Sequence, residues 1–429
     1  MDISFDLAVL NGRVFTHAGL KAIDIWIKDG KVSALGGSHR ADEKIDAMGM
    51  LVLPGAIDAH VHFREPGQEY KEDWLSGSLS AAAGGVTAVV DQPNTDPKTL
   101  DARSFEMKLD LARNRSVVDF CINGGPGRIE ELAGAGAAAI GEIFTYEQSD
   151  EELKIVLEEI RKAGMLATVH AEDGSVVREK TEPLKSSHDP QVYSMARPAL
   201  AEAKAIEKVL EWSERLHICH LSTGLGLDLV RTAKMSGKGV SCEVAPHHLL
   251  FNEKDYRQQG SFLKMNPPLR GQADCDALWA GLRDGTIDAL ASDHAPHLPE
   301  EKRDDIWDAP AGVPGVETML PLMLFSVRRN LISLERLVDA TAARPARIFS
   351  LASKGAIEPG KDADLVIVDT KNVNKINADH LHSRADWTPY EGLEAIFPQM
   401  TLVRGTVVYD GDLAVSPGFG RLLRMQRVL

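Results

Sequence analysis

Two histidines one residue apart, His60 and His62, follow directly on the apolar run "MLVLPGAIDA" at residues 50–59. In an extended strand, residues two apart point to the same side, so both imidazoles can converge on one point. Three further apolar runs end in the same chemistry: "MLATVHA" brings His170, "LHICHLS" brings His220, and "IDALASD" ends in Asp293. Imidazole and carboxylate without thiolate suit zinc or another late first-row divalent ion. Four histidines and one aspartate exceed what a single catalytic ion needs, and a pair of ions needs a bridging anion. A fourth run, within "AAAIGEIFTYE", carries Glu142 near its end. A charged side chain closing a buried strand is costly unless something compensates it, and a cation would.

These residues need a frame that brings strand ends together. Between about residues 50 and 295, eight short β-rich apolar runs alternate with helical patterns. The clearest helix is 150–164, with Leu153, Val156, Leu157 and Ile160 on one face and Gly164 as its stop; others are expected near 72–84, 99–113, 198–213, 224–236 and 274–283. Near-continuous apolar strands separated by helices imply a parallel sheet covered on both faces, and eight such units imply a closed (β/α)8 barrel. An open doubly wound sheet is the alternative, weakened because no GxGxxG follows the first strand. In a barrel, the C-terminal strand ends form the rim on which sites are built. All the histidines and acids above lie at such ends. His247 and His248, in "APHHLL" after the seventh run, share that rim but read equally well as a self-packed loop. His17, His39, His188, His217, His380 and His382 read as surface or fold positions.

The two ends of the chain differ from the middle. Residues 5–36, 355–370 and 400–415 alternate apolar and polar residues, with turn signals at Asn11-Gly12, Asp29-Gly30, Pro359-Gly360 and Asp410-Gly411. Two β-rich ends most economically pair into one discontinuous β-sandwich. The expected division is therefore 1–53 plus 354–429 for the sandwich and 54–353 for the catalytic α/β barrel.

Composition excludes several classes. The net charge of -15 argues against a nucleic-acid partner, which needs a basic face. The four cysteines are widely spaced and form no CxxC pair, as expected of a reduced, cytoplasmic protein. The start "MDISFDLAVLNGRVF" has acids where a signal peptide needs a basic flank, and no apolar run approaches a membrane span.

The motifs "PGAIDAHVHFREPG", "AAAGGVTAVVDQPNTDP", "VHAED", "CHLST", "PHHL", "NPPLR", "SDHAPH" and "GVPGVET" run in order from residue 54 to residue 318. In this the chain resembles the dihydroorotases of the amidohydrolase superfamily, over essentially its whole length. The resemblance implies reversible hydrolysis and cyclisation between dihydroorotate and N-carbamoyl-aspartate in pyrimidine (UMP) biosynthesis. It implies a pair of zinc ions held by His60, His62, His170, His220 and Asp293, with Asp293 as general base and acid for a metal-activated hydroxide. It assigns Arg64, Asn94 and His297 to the substrate carboxylate, and Asn266 with backbone groups near Gly312 to the ring amides. Allantoinases carry asparagine where Arg64 stands, and hydantoinases lack the "HFREPG" and "PNT" pattern, so both remain alternatives that Arg64 and Asn94 disfavour. The family also brings a homodimer and aspartate transcarbamoylase into view as partners, the latter chiefly for non-catalytic members that have lost metal ligands.

One position departs from the family pattern. Many relatives carboxylate a lysine at the end of the fourth strand to bridge the metals, whereas Glu142 stands there in this chain. Its carboxyl carbon lies three bonds nearer the backbone, a shortfall of roughly 3–4 Å. Glu142 is expected to ligate metal directly, by bridging two ions, by binding one, or with help from a water. The polar segment 294–315 reads either as a lid or as an ordered excursion.

Overall fold

The computed structural model describes residues 4–425; residues 1–3 and 426–429, the outermost parts of the expected terminal unit, lie outside the described residues. The chain opens with seven short strands: β1 (Ser4–Leu10), β2 (Arg13–Thr16), β3 (Gly19–Ala22), β4 (Ile25–Lys28), β5 (Lys31–Leu35), β6 (Arg40–Asp46) and β7 (Leu51–Pro54). The Asp29-Gly30 turn joins β4 to β5 as expected, with Lys28 opposite Lys31. Asn11-Gly12 does not make a hairpin: β1 pairs with β4 and β6, while β2 pairs with β3 and β7. The turn residues carry the chain from one sheet to the other, because the apolar sides of β1 and β2 face each other rather than the same way.

The eight barrel strands follow: β8 (Ala56–Val61), β9 (Val86–Asp91), β10 (Asp119–Ile122), β11 (Ile140–Phe144), β12 (Ala167–His170), β13 (Arg215–Ile218), β14 (Gly239–Val244) and β15 (Ala289–Leu290). All neighbouring pairs within β8–β10 and within β11–β15 are parallel. Two seams complete the ring. Gly124 N–H donates to Ala139 O (3.0 Å) and Gly141 N–H to Gly124 O (2.8 Å), joining the β10 end to β11. His62 N–H donates to His294 O (2.8 Å), joining β8 to the residues after β15. The run "MLVLPGAIDA" is thus two strands: β7 belongs to a terminal sheet and β8 to the barrel. A Cβ on the intervening Gly55 would lie 2.1 Å from the Thr87 hydroxyl, so the chain changes sheets where only glycine fits.

The expected helices form at Trp74–Ala83, Ala102–Arg115, Asp150–Lys162, Ala199–Trp212, Gly224–Met235 and Gln272–Asp284. Ser149 caps the third of these reciprocally with Glu152, while Leu153, Leu157 and Ile160 are buried. Helix Val316–Arg328 was not legible, because it is apolar on nearly every side and interrupted by Pro321.

The chain closes with β16 (Leu365–Val368), β17 (Asn374–Lys375), β18 (Glu394–Ala395), β19 (Met400–Val403) and β20 (Thr406–Tyr409). One terminal sheet has the order β5-β4-β1-β6 and the other β20-β19-β16-β7-β2-β3, so both ends of the chain contribute to the second. Leu7, Val9, Ile25, Ile27 and Val32 pack against Val14, Val52, Leu365, Ile367 and Leu402 to form the sandwich core. The fold is a (β/α)8 barrel with a small β-sandwich built from both termini. Among the described residues, no helix is long and apolar enough to cross a membrane.

Candidate metal centre

The C-terminal ends of β8, β11, β12, β13 and β15 deliver His60, His62, Glu142, His170, His220 and Asp293 to one buried cluster. His60 and His62 present their Nε2 atoms side by side, with ring centroids 5.1 Å apart. His170 and His220 form the second pair, 4.7 Å apart. Between the pairs lies the Glu142 carboxylate. Its Oε1 is 2.9 Å from His170 Nδ1 and 2.7 Å from His220 Nε2. Its Oε2 faces the other pair, 3.4 Å from His60 Nε2 and 3.9 Å from His62 Nε2. Asp293 Oδ1 closes that side, 3.3 Å from His62 Nε2 and 3.7 Å from His60 Nε2. Each oxygen of the short Glu142 side chain therefore addresses a different imidazole pair.

Three imidazoles are fixed from behind. His60 Nδ1 donates to Glu243 Oε1 (2.7 Å), and His217 Nε2 holds the other oxygen of Glu243 at 3.0 Å. His62 Nδ1 donates to Asn94 Oδ1 (2.7 Å). His170 Nε2 donates to Glu172 Oε2 (2.7 Å), and Arg197 pairs with Glu172 in turn. Such partners set the tautomer, so that the nitrogen facing the cluster offers a lone pair. His217 is therefore part of the support for His60 rather than an unrelated fold position.

The cluster fits a metal on its own chemistry. His60 Nε2 is buried without a hydrogen-bond partner among the described residues. His170 has a carboxylate oxygen within hydrogen-bond reach of each ring nitrogen, yet a neutral imidazole carries only one N–H. Positive charge is needed between Glu142 and the histidines. Burial alone would raise the Glu142 carboxyl, but His60, His170 and His220 hold it well below the usual carboxylate range. Burial likewise opposes ionisation of Asp293, and His62, His60 and His220 outweigh it. Groups able to hold an ion among the described residues are His60 with His62 and Asp293, His60 with Glu142 and His220, and His60 with Cys219 and Glu243. In the last group the His60–Glu243 hydrogen bond already uses two of the three, and burial pushes the Cys219 thiol up to about 12.

His247 and His248 do not join these groups. His248 Nε2 donates to Pro267 O at 3.0 Å, and burial pulls His247 down to about 4. Arg64, Asp293 and His220 have φ of 61°, 48° and 30°, a region non-glycine residues seldom occupy and one enriched at functional sites.

A cavity of about 270 Å³ opens over the cluster, lined by Arg64, Asn94, Asn266 and Gly312 together with His62, Glu142, His170 and Asp293. Arg64 makes no salt bridge to Glu65 or Glu69; its Nε donates to Pro296 O (3.2 Å), and Nη2 lies 3.0 Å from His297 Nε2. His297 stands behind Arg64 rather than on the cavity wall. Lys71 Nζ meets its Nδ1 at 3.0 Å, and Ala311 O lies 3.1 Å from its Nε2. Asn266 accepts from the Tyr193 hydroxyl at 2.6 Å, and among the described residues no acceptor meets its amide N–H groups. Gly312 N–H donates to Lys264 O (3.0 Å) and its carbonyl accepts from Lys302 Nζ (3.0 Å), so Gly312 lies on the wall with both backbone groups engaged. Sequence reasoning missed Lys98 and Tyr146 on the wall, and Glu172, Arg197 and Glu243 behind the histidines. The only available signal for Glu172 was its place in "VHAED".

Removing the Glu243 support with Glu243→Ala is expected to weaken metal binding by about 10–100-fold. Chelator competition measures it; unchanged affinity would show that His60 needs no such partner.

The chain matches the model of the amidohydrolase family over residues 51–408. It is 46% identical to a dihydroorotase of Methanosarcina mazei, over 97% of each chain. It is 38% identical to an allantoinase of Rubrobacter xylanophilus, over 99% of this chain and 98% of the relative. Among solved structures, an L-hydantoinase (dihydropyrimidinase) from Arthrobacter aurescens superposes with a TM-score of 0.94 at 34% identity, covering 98% of this chain and 100% of that one.

Proposed function

This chain belongs to the amidohydrolase family, and from that premise we propose that it is a dihydroorotase, interconverting dihydroorotate and N-carbamoyl-aspartate in pyrimidine (UMP) biosynthesis. One observation carries the choice of substrate. Arg64 is buried on the cavity wall, and among the described residues no carboxylate forms an ion pair with it. A buried guanidinium normally has an anionic partner, and here the vacant direction is the cavity. Dihydroorotate carries a ring carboxylate to fill it. Hydantoins and dihydropyrimidines need not, so the hydantoinase and allantoinase readings leave Arg64 without a partner.

The residues divide the work. Arg64 and the Asn94 amide hold the substrate carboxylate, with His297 bracing Arg64. Asn266 donates to a ring carbonyl, and the Gly312 carbonyl, one lone pair of which takes Lys302 Nζ, offers the other to a ring N–H. This orients the scissile amide over Glu142 and Asp293. Two zinc ions would be held by His60, His62, Glu142, His170, His220 and Asp293, with no carboxylated lysine needed, and would supply a Lewis acid for the carbonyl and a water of lowered pKa. The ionised Asp293 takes the proton of the attacking water and returns it to the leaving nitrogen, so that O–H adds across the C–N bond. The nearby Lys154 is unsuited to a carbamate role, since its ammonium lies 4.6 Å over the Trp212 ring.

The enzyme so read acts on small molecules in the cytoplasm, in keeping with four free, buried cysteines. A second copy of the chain and aspartate transcarbamoylase are the partners to seek. The test is turnover of dihydroorotate, allantoin and hydantoin by the zinc-loaded protein. Dihydroorotate is expected to lead in kcat/KM, with ring closure gaining as pH falls because closure consumes a proton. Preference for an uncharged ring would transfer the assignment to the hydantoinase group.

A further inference from the structure

Lys302 ends the short helix Pro299–Lys302 in the segment that follows Asp293, and its side chain is wholly buried. Among the described residues no carboxylate pairs with it. Its Nζ donates instead to three backbone carbonyls: Lys264 O at 2.9 Å, Pro310 O at 2.9 Å and Gly312 O at 3.0 Å. Three acceptors at that spacing match the three protons of an ammonium, whereas a neutral amine has only two to give. Burial, with Lys264 and Arg64 nearby, pulls the Lys302 ammonium well below its usual range, and the three charge-assisted hydrogen bonds are what oppose that pull.

The carbonyls belong to two segments that meet at the cavity. Lys264 lies two residues before Asn266, and Pro310 and Gly312 flank Ala311, so both stretches reach the wall. Gly312 N–H also donates to Lys264 O, so that one carbonyl receives both the ammonium and the opposite strand. The fit is close: Gly312 has φ +138°, and a Cβ there would sit 2.4 Å from Ala295 O. The anchor itself is braced, with Ser261 Oγ donating to Lys302 O (2.6 Å) and Trp387 Nε1 to His297 O (2.7 Å). Segment 294–315 is therefore pinned from within rather than draped over the site.

We propose that Lys302 is a positioning residue for substrate recognition, whose ammonium clamps the backbone at Lys264, Pro310 and Gly312 and so sets the gap between Asn266 and Gly312 across the substrate ring. The inference rests on the dihydroorotase reading. It separates recognition from chemistry, because none of the clamped groups touches His60, His62, Glu142, His170, His220 or Asp293.

Lys302→Met keeps the volume of the side chain and removes its three donors. With dihydroorotate and the zinc-loaded enzyme, KM is expected to rise about 10–100-fold, the worth of hydrogen bonds to a charged group, while kcat stays within about threefold. Zinc content should not change. Unchanged KM in a folded variant overturns the proposal, as does a fall of kcat and zinc content at constant KM. If Lys302→Met does not accumulate, Lys302→Gln, which retains two donors, should show a smaller rise in KM at full zinc content. Failure of both variants to fold would assign Lys302 to folding and also overturn it. A wild-type protein inert towards dihydroorotate would instead sink the functional reading, which keeps the two failures apart.

Discussion

Glu142→Ala is expected to lose metal and activity together. Among the described residues this carboxylate is the one acid within 4 Å of both imidazole pairs, with Oε1 at His170 and His220 and Oε2 towards His60 and His62. Removing it leaves Asp293 as the anion on the His60–His62 side and none between the two pairs, so two cations placed there would lose the charge that separates them. Loss of an outer partner of a ligand costs roughly 10–100-fold in metal affinity, and loss of the shared ligand should exceed that. Metal analysis and dihydroorotate turnover read the result: zinc well below the wild-type stoichiometry and turnover near background. The wild type is expected to be indifferent to added bicarbonate. Full zinc and normal turnover in Glu142→Ala would show that Glu142 only closes its strand.

Asp293→Asn should separate proton transfer from binding. The amide keeps the shape of the side chain and an oxygen near His62, but it cannot take a proton from water. Turnover is expected to fall about 10²–10⁴-fold, the usual worth of a general base. KM for dihydroorotate should change little, because Arg64, Asn94 and Asn266 are untouched. A variant that lost mainly KM would move Asp293 from chemistry to substrate binding. The control is zinc content, since Asp293 also lies within ligand distance of the His60–His62 pair.

Much of this site is legible in the sequence. The HxH spacing of His60 and His62, and the placing of His170, His220 and Asp293 at the ends of apolar runs, are local patterns that a strand preserves. The six expected helices formed within a few residues of their sequence limits for the same reason. Local pattern failed where one apolar run served two sheets, as at Gly55. It failed again at Asn11-Gly12, where a turn signal marks a change of sheet. His217 reads from sequence as a surface or fold position, Glu172 has only its place in "VHAED", and Glu243 and Arg197 carry no signal at all, since their role depends on their contacts in the fold.

By itself, then, the sequence determined the barrel, the β-rich ends, and which histidines and acids stand at strand ends, because periodicity and strand-end position are properties of neighbours along the chain. Only the tertiary structure decided how Glu142 meets both histidine pairs. Only it could place His297 behind Arg64 and tie Lys302 to the wall that faces the substrate. Those outcomes depend on distances of about 3 Å between groups tens or hundreds of residues apart, and hydrogen bonds lose their meaning a few tenths of an ångström beyond that.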